Sequence, residues 1–160
     1  DISYKGFIFI GLMNVEVEPY VIEYNVRMGD PETEVVIPRL SADLLELFKG
    51  VANEKLAEKS FDIIPDSAVT VVCVSGGYPD SYTKGFAING LAKVTDSIVF
   101  HAGTQQKDKT VETAGGRVVA VTSLAPTITE ALNKSYQSIS KIEYEGMYMR
   151  RDIGKDLLNK

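Results

Sequence analysis

The sequence has one cysteine, one histidine and no long apolar run. A lone Cys73 closes no disulfide within the chain. Its place in the apolar stretch Val69 to Val74 suits a small buried side chain in a reducing compartment better than a reactive thiol. His101 has no second histidine and no nearby cysteine, so neither a zinc ligand set nor a catalytic triad can be drawn around it, and a structural hydrogen bond is its expected role. The same apolar stretch falls far short of the roughly 20 residues that cross a bilayer. No charged-then-apolar leader opens the sequence as given, so a soluble, cytoplasmic protein is expected. Positive charge is short too. With a net charge of -5 there is no general basic field, so neither nucleic acid nor a membrane surface is expected as a partner, and any anionic ligand must be met by local groups.

What is present is enough to fold. The chain has 160 residues, 44% of them apolar, which is sufficient for one domain or two small ones. It opens at Asp1 without an initiator Met or a polar tail and is expected to be a piece of something longer. The texture changes across the polar stretch Asn53 to Pro65, which puts a junction near residue 60 and divides the chain into 1–60 and 61–160. In the first part, Phe7 to Met13 and Tyr20 to Val26 read as an antiparallel strand pair separated by Asn14 to Pro19. Leu44, Phe48 and Val51 then recur at helical spacing, with Ser41 as cap and Lys49-Gly50 as end. In the second part, strands are predicted at Ser67 to Val74, Gly85 to Ile88, Ser97 to His101 and Arg117 to Leu124, forming a small antiparallel sheet or partial barrel. One helix, starting at Thr127 with Glu130 in capping-box position, is expected to pack across it. The fold class is α+β.

Chemistry concentrates in residues 21–32. Strand side chains alternate, which puts Ile22, Tyr24 and Val26 on one face, expected as core, and Glu23, Asn25 and Arg27 on the other. A carboxylate and an amide oxygen two residues apart lie about 7 Å apart at the backbone, and their tips can converge on a cation. Magnesium is commonly held in this way, by one or two carboxylates together with substrate phosphates. Arg27 adds a planar fork of donors for a phosphate or carboxylate oxygen. The turn Gly29-Asp30-Pro31-Glu32 ends the strand and brings two more carboxylates to its mouth. Spacing alone does not separate this reading from an amphipathic edge strand with a solvated polar face.

The pattern Glu-x-Asn-x-Arg-x-Gly-Asp-Pro-Glu from Glu23 to Glu32, preceded by Tyr4-Lys5-Gly6 and Gly11-Leu12-Met13, resembles the end of the ATP-grasp domain in the phosphoribosylamine-glycine ligase family, the glycinamide ribonucleotide synthetases. Ser75-Gly76-Gly77-Tyr78-Pro79, Lys84-Gly85-Phe86, Phe100 to Thr104, Gly115-Gly116-Arg117-Val118 and Glu145 to Gly154 resemble that family's C-terminal domain in the same order. The resemblance implies the C-terminal part of an ATP-grasp domain followed by a small β-rich domain. It also implies a ligase joining glycine to 5-phosphoribosylamine with ATP, through a glycyl phosphate, in purine biosynthesis. By the same resemblance Glu23 and Asn25 would bind Mg2+ or Mn2+, and Arg27 would act on phosphate or acyl phosphate. Asp30 and Glu32 would either orient the amine-bearing substrate or shape the turn. Gly77, Tyr78 and Pro79 would line the phosphoribosylamine cleft or form only a tight turn.

The ATP-gripping lysine and glycine-rich loop of that family are not in this sequence, so the N-terminal half of the enzyme is an expected partner and the chain alone is expected to be inactive. Two alternatives stand beside this reading: another ATP-grasp carboxylate-amine ligase, and a non-catalytic binding module derived from the ligase. Arg150 and Arg151 beside Asp152 are expected to be exposed without a catalytic role, and Lys107-Asp108-Lys109 to be a solvated hairpin tip.

Overall fold

The computed structural model describes residues 2–158, which divide into two compact units after Ile64. Its strands pair only in antiparallel fashion, so the α+β expectation holds.

The first unit opens with a hairpin of β1, Phe9–Val15, and β2, Glu18–Asn25. Both strands reach further toward the turn than the polar residues Asn14 to Pro19 suggest: Asn14 pairs with Pro19 and Val15 with Glu18. Two left-handed residues, Glu16 at φ 50° and Val17 at φ 70°, close the ladder, a twist that suits two-residue hairpin turns but strains a β-branched side chain. The short helix α1, Thr33–Val36, leads to β3, Leu40–Ser41, which pairs with β4, Asp62–Ile63. Between them lies α2, Leu44–Ala52. Its cap is Asp43 rather than Ser41, since the Asp43 carboxylate accepts from Leu45 N at 2.9 Å and Glu46 N at 3.2 Å. Nor does Gly50 end the helix. It is buried inside α2, where an added Cβ would lie 3.0 Å from Lys59 Cγ and 3.3 Å from Leu56 Cα, so its smallness admits the returning chain. The apolar stripe of α2 faces a cavity of about 790 Å3 that is also lined by Phe7, Val36, Leu40 and Phe61.

The second unit is built on β5, Ser67–Val74, β6, Ile98–His101, and β9, Arg117–Ala125, in the order β5-β9-β6. A separate hairpin joins β7, Thr104–Lys107, to β8, Thr110–Thr113, through the expected tip, with Asp108 at φ 52°. Gly85 to Ile88 does not become a strand. Gly85 takes φ +88°, and the segment pairs through the isolated bridge of Ala87 with Glu112.

The central strand β9 is buried on both faces from Val118 to Ser123. Helix α3, Ile128–Ile139, starts in the predicted capping box, with Glu130 N donating to Thr127 Oγ1 and Thr127 N to the Glu130 carboxylate. It lays Ala131, Leu132, Ser135, Ser138 and Ile139 on β5 and β9. Ser97, Ser123, Ser135 and Ser138 join their hydroxyls at 2.7 to 2.9 Å beneath it. Buried polar groups satisfied in this way avoid a penalty of about 1–3 kcal/mol each, and their small volume lets the helix approach closely. Cys73 lies in the same core, where burial pushes its thiol up to about 12, too high for a nucleophile near neutrality. No helix among the described residues is long and apolar enough to cross a membrane.

Candidate functional site

In the antiparallel ladder Phe9 stands opposite Asn25, Ile10 opposite Tyr24 and Gly11 opposite Glu23. Directly opposed residues share a face, so Glu23 and Asn25 lie together with Phe9 and Gly11. The regular alternation extends no further. The next pair is Leu12 with Val21, which leaves Ile22 as an extra residue in a β-bulge. Beyond Asn25 the chain bends, so Arg27 lies outside the strand, and period-two alternation does not bring it beside Glu23. Its Nη1 donates to Met28 O at 3.0 Å. Tyr4 Oη, 2.9 Å from Val26 O and 2.8 Å from Phe7 O, ties the N-terminal segment to this bend.

The opposite face, expected as core, is open. Ile22, Tyr24 and Val26 are 62%, 68% and 70% exposed, because a two-stranded hairpin has no layer of its own to cover it. On the chemical face, Glu23 is exposed while Asn25 is half-buried. Asn25 Nδ2 is fully shielded and has no hydrogen-bond partner within the protein, and which end of a carboxamide carries oxygen is fixed only by its partners. Glu32 is committed locally: its Oε1 accepts from Gly29 N at 2.7 Å and its backbone O accepts from Val35 N and Val36 N at 3.0 and 2.9 Å. Those bonds brace the turn. Asp30 lies exposed in the same turn.

Gly77, Tyr78 and Pro79 belong to the second unit, so the eight candidate residues do not form one cluster within either unit. Gly77 takes φ +95°, and a side chain there would run into Ser81 O. The Tyr78 ring rests on Gly116, where even a Cβ would collide with it, and meets Tyr82 edge-on at 6.0 Å. Lys84 Nζ lies 5.6 Å from the Tyr82 ring centre. This makes an aromatic ledge with one cation on it. Gly11, which faces Glu23, and Gly116, which underlies Tyr78, carry no individual signal in the sequence. Only cross-strand register and tertiary approach single them out.

His101 Nδ1 lies 2.9 Å from Thr104 Oγ1. Arg150 donates twice to the Asp152 carboxylate, at 2.9 and 2.8 Å, and this holds the carboxyl below its ordinary range. Among the described residues no three His, Cys, Asp or Glu side chains gather into a metal set. A divalent cation here would rest on few protein oxygens. The pair Glu23 and Asn25 fits that demand with one carboxylate and one amide oxygen on a shared strand face; the shielded Asn25 Nδ2 is a donor and takes no part in it.

The family model described as "Phosphoribosylglycinamide synthetase, C domain" matches residues 68–156, more than half of the chain. The chain belongs to this synthetase family. A second model, "Phosphoribosylglycinamide synthetase, ATP-grasp (A) domain", matches residues 1–33 and includes Glu23 and Asn25. A phosphoribosylamine-glycine ligase of Caldanaerobacter subterraneus subsp. tengcongensis is 42% identical over 152 residues, covering 95% of this chain and 36% of the relative. One from Chlorobaculum tepidum is 43% identical over 159 residues, covering 98% of this chain and 37% of the relative. The crystal structure of the Thermotoga maritima phosphoribosylamine-glycine ligase superposes with a TM-score of 0.75 at 36% identity, over 94% of this chain and 37% of that one. This synthetase-family chain thus spans little more than a third of the length of these relatives.

Proposed function

We propose that this chain forms the C-terminal part of an ATP-dependent ligase that joins glycine to 5-phosphoribosylamine, giving glycinamide ribonucleotide, ADP and phosphate. The observation that carries the reading is alignment through both units, 152 residues at 42% identity, with a protein named for that reaction. Glu23 and Asn25 are the residues we assign to Mg2+ or Mn2+. When bound, such a cation neutralises charge developing on phosphate oxygens during phosphoryl transfer. The protein's part is to orient. Glu23 presents a carboxylate from a paired strand, Asn25 a neutral oxygen beside it, and Arg27, in the bend, a guanidinium for a phosphate oxygen. Asp30, exposed in the turn, is assigned to the amine-bearing substrate, while Glu32 keeps the turn in shape. The segment Gly77, Tyr78 and Pro79 is assigned to the phosphoribosylamine side. The remaining ATP contacts are assigned to the N-terminal portion that the relatives carry, and the cytoplasm is the proposed compartment, in keeping with a single reduced cysteine.

The test is a hybrid in which this chain replaces the matching third of the Thermotoga maritima enzyme. Formation of ADP and glycinamide ribonucleotide from ATP, glycine and phosphoribosylamine is expected. Loss of most turnover on Glu23→Gln, and a milder loss on Asn25→Ala, should follow. A folded hybrid that turns over none of these substrates would overturn the reading.

A further inference from the structure

We infer that Gly11 is a positioning residue for Glu23: the missing side chain on β1 is the space into which the Glu23 side chain folds, and this aims its carboxylate along the face shared with Asn25. The inference rests on the cation site proposed above and goes beyond it, since Gly11 touches no ligand.

Three observations carry it. First, Gly11 and Glu23 are direct partners in the ladder, on one face with the pair Phe9 and Asn25. Side chains at such positions ordinarily stand beside each other with Cβ atoms about 4.5–5.5 Å apart. Second, the Glu23 side chain lies over the glycine. A Cβ added at Gly11 would sit 3.0 Å from Glu23 Cγ, its nearest neighbour, and 3.6 Å from Phe9 Cε1. Third, the backbone itself does not require glycine here. Gly11 lies outside the left-handed conformations taken by Gly77, Gly85 and Gly90, and glycine weakens a strand interior relative to alanine. A residue unfavourable to its own strand, with no backbone need for it and with Glu23 Cγ at the one tight distance while Phe9 stands in ordinary contact, is explained by the Glu23 side chain. The bulge at Ile22 adjoins the pair and bends β2 at that point, so the direction of Glu23 is set from both strands.

Alanine at position 11 is therefore expected to leave the hairpin intact while turning Glu23 away from Asn25. The experiment uses the isotope-labelled chain and Mn2+ alone as the probe, read by paramagnetic broadening of backbone amide signals, with thermal midpoint and spectral dispersion as controls. In the native sequence, broadening centred on Glu23 and Asn25 is expected. Gly11→Ala should raise the Mn2+ concentration needed by on the order of tenfold, the usual effect of disturbing a ligand's support, with the thermal midpoint unchanged or higher. Glu23→Gln should weaken binding as well, and Gly11→Ala added to it should have no further effect. If Gly11→Ala binds Mn2+ as the native chain does while Glu23→Gln does not, the positioning role is overturned and the cation site stands. If the native chain shows no broadening at these residues, or Glu23→Gln changes nothing, the cation site fails and the inference fails with it. A Gly11→Ala chain that loses its dispersed spectrum would make the glycine a requirement of the hairpin itself, which also overturns the proposal.

Discussion

The two units handle their apolar residues in opposite ways. In the second, Val71, Cys73, Val118, Val119, Val121 and Ile139 are at most 1% exposed, and every one belongs to a sheet or helix that packs on another element of the same unit. In the first, the only buried residue among those described is a glycine, Gly50, while Ile10, Leu12, Tyr20, Ile22 and Tyr24 on the hairpin and Val26 just beyond it stand open. Both sequences are rich in apolar residues, so the difference lies in architecture. Three antiparallel strands and a long amphipathic helix close a core, whereas a lone hairpin beside a nine-residue helix cannot cover its own faces. Contiguous apolar surface of this kind marks a place of association.

The largest expected contrast comes from separating the units. Residues 65–160 alone should unfold in one cooperative transition as a monomer, while residues 1–64 alone should show no sharp transition and should self-associate with concentration, as exposed strand edges do. Calorimetry and sedimentation velocity read both. A monomeric, cooperatively melting 1–64 would break the comparison. Next in size are single truncations. Ile139→Ala should cost about 2–5 kcal/mol, by loss of burial and the cavity left behind, while Ile22→Ala, on the open face, should stay within about 0.5 kcal/mol. Urea titration of the whole chain measures each. Smaller still is the hairpin turn: replacing Glu16-Val17 by Asn-Gly relieves two left-handed residues and should stabilise the first unit by about 1 kcal/mol without touching the second. Proteolysis between Val15 and Glu18 should slow accordingly.

The smallest effect concerns pH. Arg150 lowers the Asp152 carboxyl below its unfolded value, so the ion pair stabilises the fold above that ordinary value and the contribution is lost as pH falls through the lowered one. Both groups are exposed, which keeps the effect slight and salt-sensitive. Arg150→Ala should return the Asp152 titration, followed by carbon-detected NMR, toward its usual range.

The parts of the fold legible in the sequence were those whose causes are local. The capping box at Thr127 and Glu130 marked the start of α3, the runs Ser67 to Val74 and Arg117 to Leu124 marked the long strands, and alternation put Glu23 and Asn25 on one face. What escaped depends on distant partners. Asp43 rather than Ser41 caps α2 because the pairing of β3 with β4 takes Ser41 into a strand. Gly50 reads as a helix end until Lys59 and Leu56 are seen to pack on it. Gly85 to Ile88 has strand residues but pairs through an isolated bridge at Ala87. Arg27 shares the parity of Glu23 in the sequence, yet the strand ends two residues before it. Of the candidate site, alternation put Glu23 and Asn25 on one face while their proposed metal role came from the family resemblance, and the glycine opposite Glu23 became visible only with the register.

The extra residue at Ile22 acts as a half-period phase shift in β2. Counting outward from Glu23 by twos along that strand names the wrong face once Ile22 is passed: Val21, which plain alternation would put with Glu23, stands instead opposite Leu12. The hairpin therefore has two segments of opposite parity, one holding Glu23 and Asn25 and one reaching to the turn. A deletion at Ile22 would bring the ladder back into step without changing any pairing between β1 and the residues on either side. Such a chain should keep its cross-strand contacts and lose only the local twist, which separates what the pairing contributes to the site from what the curvature contributes.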